Sequence, residues 1–210
     1  MSKTAIVDLQ YLPPLEYFIC WIKYDKVLIE QHENFVKQSY RNRCIILSAN
    51  KVLPLSIPLI KGNSKTPIKD IKIDHSQNWS KTHWRAIMSA YGRAPYFEFY
   101  ADYFEAIFQK REKFLFDLNC QLLTLCLNLV EIKKPLTYTD TYIKVPAKGE
   151  NDLRSAIHPK KEGLNNRLYK SIPYPQIFGK GFVQNLSIID ALMCIGPETK
   201  SLLLKSTIAD

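Results

Sequence analysis

The sequence predicts a single compact α/β domain in which helices flank a mixed sheet. A chain of 210 residues can form one continuous hydrophobic core. Its apolar fraction of 46% and its charged fraction of 23% are those of ordinary globular proteins. Short β-branched runs also alternate with segments of helical period along the chain. We therefore expect one domain across residues 1–210.

The first half of the chain predicts alternating strands and helices. Pro13 and Pro14 directly follow an apolar run. They predict the start of a helix, because proline is favoured in the first helical turn. The prolines in the second arm of a predicted hairpin indicate an edge strand. The predicted elements are a strand at 4–9, a helix after Pro14, a strand at 27–30, hairpin arms at 44–47 and 52–57, a loop at 61–67 and a half-buried strand at 68–73.

Four helices are predicted in the remainder of the chain. The clearest is a leucine seam from Leu115 to Leu129, whose spacing alternates between three and four residues. The predicted elements are helices from 78 to Gly92, from 96 to 111 and from 115 until Pro135, a strand at 137–145, and a C-terminal helix capped by Asn185 or Ser187 and ended by Gly196 and Pro197.

A polar, charged segment covers residues 147–171. Compact domains seldom carry some twenty structureless residues unless these form a lid, a binding loop or simple disorder. We leave these alternatives open and expect a segment that is able to move.

The charge balance favours an anionic partner. Lys and Arg outnumber Asp and Glu by 29 to 20, giving a formal net charge of +9. Such a surface attracts phosphates, nucleic acids or anionic lipids, although it also simply confers solubility. Because the basic residues are scattered rather than gathered in a stripe, the pattern argues against nucleic acid as the partner.

The cysteines and the N-terminus bear on the cellular compartment. Five cysteines without paired spacing are typical of buried free thiols in a reducing environment. The N-terminus has no apolar stretch after a basic start, and no run approaches the roughly 18 apolar residues that a membrane span needs. We expect a soluble, cytoplasmic protein with no membrane span.

Standard metal and nucleotide motifs are missing from the sequence. The four histidines are widely separated and none stands at metal-ligand spacing. Gly179 and Gly181 lack the spacing of either glycine-rich phosphate-binding motif. We therefore expect neither a metal nor another cofactor.

The start of the helix at 78 is a candidate site. Lys81 and Arg85 add positive charge to a helix start, where backbone N–H groups already favour anions. His83 would be a general base there, because the ordinary pKa of histidine lies close to physiological pH. The alternative is that His83 only packs beside Trp79 and Ile87.

Two further groups of polar residues are candidates for substrate binding. Arg41, Asn42 and Arg43 precede an apolar strand, from which side chains converge on a ligand or remain solvated. In the polar segment, Asp152, Arg154, His158 and Lys160 would close over a substrate, or they belong to a loop without function.

Several stretches resemble the WbqC-like family over nearly the whole chain. They are Gln10–Pro13, Glu16–Phe18, Asn42–Arg43, Ile71–Asp74, Trp79 with Lys81 and His83–Trp84, and Ala94–Phe97. Asp152–Arg154, Ile157–Lys160 and Gly181–Asp190 resemble a branch found in Bacteroidetes-type bacteria.

The resemblance implies a bacterial cytosolic protein linked to O-antigen or other surface-polysaccharide synthesis. It implies a role in modifying amino sugars or in transferring an acyl or aminoacyl group, and it adds Gln10, Tyr11 and Tyr96 as candidate substrate-binding residues. Many relatives carry a histidine where this chain has Val7, so any catalytic role of that histidine is absent here.

The leading hypothesis is a transferase acting on a phosphate-bearing sugar or a carrier-bound donor. Arg43 and Lys81 would hold the anionic donor, while His83 or Asp8 would take a proton from the acceptor amine or hydroxyl. The rivals are a non-catalytic binding or assembly protein and, with less support, a nucleic-acid-binding protein. The sequence leaves the oligomeric state unknown.

Overall fold

Four short parallel strands form the central sheet. The computed structural model describes residues 3–60, 65–160, 163–164, 167–179 and 181–208. The strands are β1 (Thr4–Val7), β2 (Lys26–Ile29), β5 (Thr137–Tyr138) and β6 (Glu150–Asp152), in the spatial order β5-β2-β1-β6. Ala5, Ile6 and Val7 of β1 are buried, as expected for a central strand with a neighbour on each side.

A separate antiparallel hairpin forms a second, two-stranded sheet. Its arms are β3 (Arg43–Leu47) and β4 (Val52–Ser56), with Cys44 opposite Leu55. The predicted hairpin and its polar turn are confirmed.

The described part of the chain contains six helices, which pack against the strands and against one another. They are α1 (Leu15–Lys23), α2 (Trp79–Tyr91), α3 (Phe97–Gln109), α4 (Leu115–Leu129), α5 (Ile188–Ile195) and α6 (Glu198–Ser206). All residues of α5 are buried, because this helix packs against α2, α3, α4, α6 and β3. The predicted α/β class, with one compact domain, is confirmed.

The ends of α5 follow the capping chemistry that the sequence predicts. Ser187 is the N-cap, and its Oγ accepts a hydrogen bond from the N–H of Ile189 at 3.4 Å. Gly196 ends the helix with φ +53°, and a Cβ atom there would lie 2.3 Å from the ring of Tyr96. Glycine is therefore required for both its backbone conformation and the close contact.

Some predicted elements differ from the observed ones. Residues 68–73 form a 3₁₀ turn at Ile68–Asp70 and isolated bridges, not a strand, because Pro67 starts a turn and Ile68 and Ile71 are buried at a spacing of three. The helix α4 ends at Leu129, well before Pro135. The strand predicted at 137–145 is only two residues long, and α6 was not predicted.

The polar segment 147–171 is not structureless. It contains β6, which pairs with β1 and closes one edge of the sheet. Residues 161, 162, 165 and 166 of this segment, and 61–64 of the predicted loop, lie outside the described residues. Movement of the segment stays a prediction.

All five cysteines are free thiols, four of them buried and Cys120 partly so. No helix within the described ranges has both the length and the hydropathy needed to cross a membrane.

Candidate functional site

A cavity of about 680 Å³ lies where the parallel strands end. Residues that line it follow β2, β5 and β6 in the chain and include His32, Glu33, Tyr142, Asp152, Arg154 and Ser155. In open α/β sheets, ligands bind outside the carboxyl ends of the strands. The volume is also within the range of cavities that take small organic ligands.

A buried charge network supports the floor of this cavity. Arg41 donates two hydrogen bonds to the carboxylate of Glu33, both at 2.7 Å, and its Nη1 lies 3.2 Å from Asp8 Oδ2. Asp8 Oδ1 accepts a hydrogen bond of 2.8 Å from the N–H of Ser155, and Arg41 Nη2 donates to Ser155 Oγ at 3.2 Å. Asp8 and Arg41 are no more than 1% exposed. The network therefore joins the segments after β1, β2 and β6.

A second ion-pair group forms one side of the cavity. Arg154 binds Asp152 through two hydrogen bonds of 2.8 and 2.6 Å and contacts Glu30 Oε2 at 3.2 Å. The guanidinium also lies over the ring of Tyr142, with 5.2 Å between them. Glu30 is fully buried and accepts a hydrogen bond from Thr139 Oγ1 at 2.8 Å. Arg154 is thereby held rigidly at the cavity wall.

The site is acidic although the protein is basic. Four carboxyl groups, of Asp8, Glu30, Glu33 and Asp152, face two guanidinium groups, of Arg41 and Arg154. Acidic groups remain in excess even if Glu33 binds a proton. Glu33 and Asp152 line the cavity, and Asp8 and Glu30 are buried behind it, so the surroundings of the cavity favour a cationic or hydroxyl-rich ligand over a free anion.

The pKa values follow from burial and pairing. Burial raises the pKa of Glu33, and the hydrogen bonds from Arg41 only partly offset this. Burial lowers the pKa of Arg41, but Asp8 and Glu33 outweigh it, so that the pKa lies above its usual range. The hydrogen bonds from Arg154 lower the pKa of Asp152. Arg41 and Asp152 therefore stay charged at neutral pH.

His32 is the group at this cavity best suited to accept a proton. Its Nε2 lies 3.1 Å from the carbonyl oxygen of Thr139. Because a carbonyl only accepts, Nε2 carries the hydrogen, and Nδ1 of the neutral ring keeps its lone pair. The N–H of His32 also donates to Glu30 Oε1 at 2.9 Å, so the segment after β2 is fixed. The imidazole is therefore oriented for general base chemistry.

Comparison with known proteins identifies the family. A model of the WbqC-like protein family matches residues 10–163 and 154–202. The chain belongs to the WbqC-like protein family. It is 26% identical to the uncharacterized protein Rv1507c of Mycobacterium tuberculosis, over 94% of this chain and 96% of that protein. No solved structure matches significantly. The relative is mycobacterial, and the Bacteroidetes-type branch stays a prediction.

Five of the predicted site residues meet at the cavity of this WbqC-like protein. Asp8, Arg41, Asp152 and Arg154 belong to the two charge groups described above. Gln10 is buried beside them, and its Nε2 donates to Asp8 Oδ2 and to the carbonyl of Ile157, both at 3.2 Å. Asp8 and Gln10 therefore support the cavity from below, whereas Arg154 lines it.

His83 lies in the core, away from this cavity. It is 4% exposed, its Nδ1 forms a 2.8 Å hydrogen bond with the hydroxyl of Tyr11, and its ring packs edge-on against Trp79. Burial lowers its pKa to about 4, which a hydrogen bond to the backbone of Ser56 only partly offsets. This placement favours the packing alternative for His83, and places Tyr11 with it in the core.

Replacing Tyr11 by phenylalanine tests this structural role. We expect the free energy of unfolding to fall by about 1–3 kcal/mol, because the buried Nδ1 of His83 loses its partner. Urea denaturation measures the change. In the matched control, the exposed Tyr103 becomes phenylalanine and stability stays within about 0.5 kcal/mol. Equal effects of the two changes would contradict the role.

The remaining predicted residues lie elsewhere. Asn42 Nδ2 donates to the carbonyl of Ile57 at 2.9 Å, and Arg43 Nε donates to Ser56 Oγ at 3.0 Å, so both brace the hairpin. Tyr96 precedes α3 and stacks on Tyr100.

Three predicted basic residues lie outside the lining named for the main cavity. Lys160 Nζ donates to Gln38 Oε1 at 2.7 Å, and the N–H of Lys160 donates to His158 Nδ1 at 3.2 Å. Lys81 lines a different cavity, beside the start of α2. The structure therefore does not bring Lys81, His83 and Arg43 to the sheet edge.

Sequence reasoning missed Glu30, His32 and Glu33. Glu30 ends the predicted strand at 27–30 and the other two closely follow it, and residues at the carboxyl ends of parallel strands meet at one edge. Their position at the end of a predicted strand is the signal from which these residues could have been predicted. Within the described ranges, no three His, Cys, Asp or Glu side chains are grouped to hold a metal ion.

Proposed function

We propose that this protein is a transferase that moves an acyl or aminoacyl group onto the amine of an amino sugar in bacterial surface-polysaccharide synthesis. The observation that carries the proposal is an acidic cavity at the sheet edge with one oriented imidazole, His32. The resemblance to a family linked to such synthesis supports the same conclusion. The carboxylate of Asp152 at the cavity wall suits an ammonium group or sugar hydroxyls.

In this proposal the acceptor nitrogen attacks the acyl carbon of an ester or thioester donor. A new C–N bond forms, and the C–O or C–S bond to the carrier breaks. His32 Nδ1 accepts the proton that the nitrogen loses and returns it to the departing oxygen or sulfur, so the atoms balance. Arg154 orients the substrate against Tyr142 and Asp152.

A transfer assay with His32 variants tests the proposal. Amino-sugar acceptors are incubated with thioester and aminoacyl-ester donors, and amide products are measured by mass spectrometry. His32→Gln is expected to lower kcat about a hundredfold with little change in KM, because general base catalysis is lost while binding remains. His83→Gln serves as the comparison, and activity per folded molecule should be largely retained.

Other results would redirect the assignment. A loss of turnover in His83→Gln but not in His32→Gln would restore the role predicted for His83. A wild-type protein that binds amino sugars without turnover would support a non-catalytic binding protein. One observation favours a binding protein over an enzyme. The guanidinium of Arg154 is already paired with Asp152 and Glu30, so it forms part of the cavity wall and is not free to act in a reaction. Stronger binding of the amino sugar than of its hydroxyl analogue, lost in Asp152→Asn, is expected in both cases.

A further inference from the structure

We propose that a second cavity, beside the start of α2, binds a phosphate monoester of a hydroxylated ring compound, such as a sugar phosphate or a nucleoside monophosphate. The cavity measures about 260 Å³. This is just below the roughly 300–1,000 Å³ typical of drug-sized ligands, so it suits a small phosphate ester. The inference stands independently of the proposed transferase.

Basic groups gather at this cavity from three parts of the chain. Lys81 comes from α2, Arg111 from the turn after α3, and His75 from the segment before α2. Lys81 is exposed, and within the described residues it forms no ion pair. Its charge is therefore available to a ligand. A guanidinium and an ammonium group on one small cavity are the combination that proteins use for phosphate.

The backbone around the cavity is consistent with this chemistry. The side chain of Asn78 does not cap α2, and Asn78, Ser80 and Lys81 all line the cavity. The N–H groups of a first helical turn favour anions, and they add to the side-chain charges rather than replace them. Arg111 has φ +54°, a conformation that costs a non-glycine residue free energy, and its Nη2 donates a hydrogen bond of 3.4 Å to the carbonyl of His75 at the same cavity.

Two aromatic residues of the cavity lining suit a ring. Trp84 and Phe108 line the cavity with their centroids 6.1 Å apart, and both are largely buried. An apolar ring face packs on such aromatic side chains. Glu105 and Gln109 line the same cavity and are able to bond to hydroxyl groups on the ring. The lining therefore combines groups that suit a phosphate with groups that suit a hydroxylated ring.

Calorimetric titration of the whole protein tests this site. The probes are glucose 6-phosphate and uridine monophosphate, with glucose, uridine and inorganic phosphate for comparison. We expect at least one ester to bind more tightly than both its neutral counterpart and inorganic phosphate. Binding of both esters would mean that the site recognises the phosphate monoester on a hydroxylated ring that they share. Binding of only one ester would identify which class, sugar phosphate or nucleoside monophosphate, the site recognises.

Matched variants locate the binding. Lys81→Ala and Arg111→Gly should each weaken ester binding about tenfold, since each removes a charge-assisted hydrogen bond. Glycine is used at position 111 because it accepts the positive φ there. Arg85→Ala is the control for charge on the same helix, and His32→Gln is the control for the sheet-edge cavity. Both should leave the affinity unchanged.

Three outcomes would overturn the proposal. If neither ester binds measurably, the site is ruled out. If inorganic phosphate binds as tightly as the esters, a role for the aromatic residues Trp84 and Phe108 is ruled out. Equal weakening by Arg85→Ala and Lys81→Ala would mean that general surface charge, not this cavity, attracts the probe.

Discussion

Replacing Arg41 by alanine is expected to lower the free energy of unfolding by about 3–5 kcal/mol. Arg41 is fully buried, and it pairs with both Glu33 and Asp8. Its removal leaves two buried carboxyl groups without a cation, and it also removes the hydrogen bond to Ser155. Burial of an unpaired charge is among the few changes with so large an effect. Urea denaturation at neutral pH measures the loss.

The adjacent basic residue of the hairpin is the matched control. Arg43 is only partly buried and donates one hydrogen bond, to Ser56 Oγ, so Arg43→Ala should cost less than about 1 kcal/mol. If the two variants lose similar amounts, the network does not hold the segments after β1 and β2 together. The double change Arg41→Met with Glu33→Met should cost less than the two single changes added, because the partners are removed together.

Replacing Glu16 by glutamine is expected to stabilise the protein at pH 8 by about 3 kcal/mol and to have little effect at pH 5. Burial raises the pKa of Glu16 to about 7, and the hydrogen bond from the N–H of Leu164, 2.7 Å long, only partly offsets this. The folded protein therefore binds a proton at Glu16 more tightly than the unfolded chain does. Stability is highest below the ordinary pKa of glutamate and falls as the pH rises through 7.

Urea denaturation between pH 5 and pH 8 measures this difference. Comparing the two proteins isolates Glu16, because other titrating groups such as His83 contribute equally to both. Glu98→Gln on the exposed face of α3 should give no such pH dependence. A stability difference that stays constant with pH would contradict the raised pKa. The backbone of Gly163 packs closely against the carboxyl group of Glu16, because a Cβ atom at position 163 would lie 2.2 Å from Glu16 Oε2.

Local patterns predicted most of the secondary structure. The leucine seam of α4, the proline start of α1 and the caps of α5 each lie within a few neighbouring residues. Such patterns depend on periodicity and backbone chemistry, which the sequence displays directly. The strand predicted at 68–73 was wrong. The apolar residues there fit both an alternating spacing and a spacing of three, and the prediction used the alternating one.

The candidate site was predicted only in part. The residues that were named in advance and lie at the sheet-edge cavity are Asp8, Gln10, Arg41, Asp152 and Arg154. His83 and Lys81 were also named, but the fold buries the first and places the second at another cavity. Glu30, His32 and Glu33 went unnoticed because their pattern is that of any polar turn after a strand.

The sequence by itself determined the α/β class, the main helices and the family. The tertiary structure alone decided which polar residues share a site. Parallel pairing carries the ends of β1, β2, β5 and β6, which are up to about 150 residues apart in the chain, to one edge of the sheet. Burial at that edge then forces carboxyl and guanidinium groups into pairs, because an unpaired charge there is too costly. Neither effect can be read from local spacing, since both depend on contacts between distant segments.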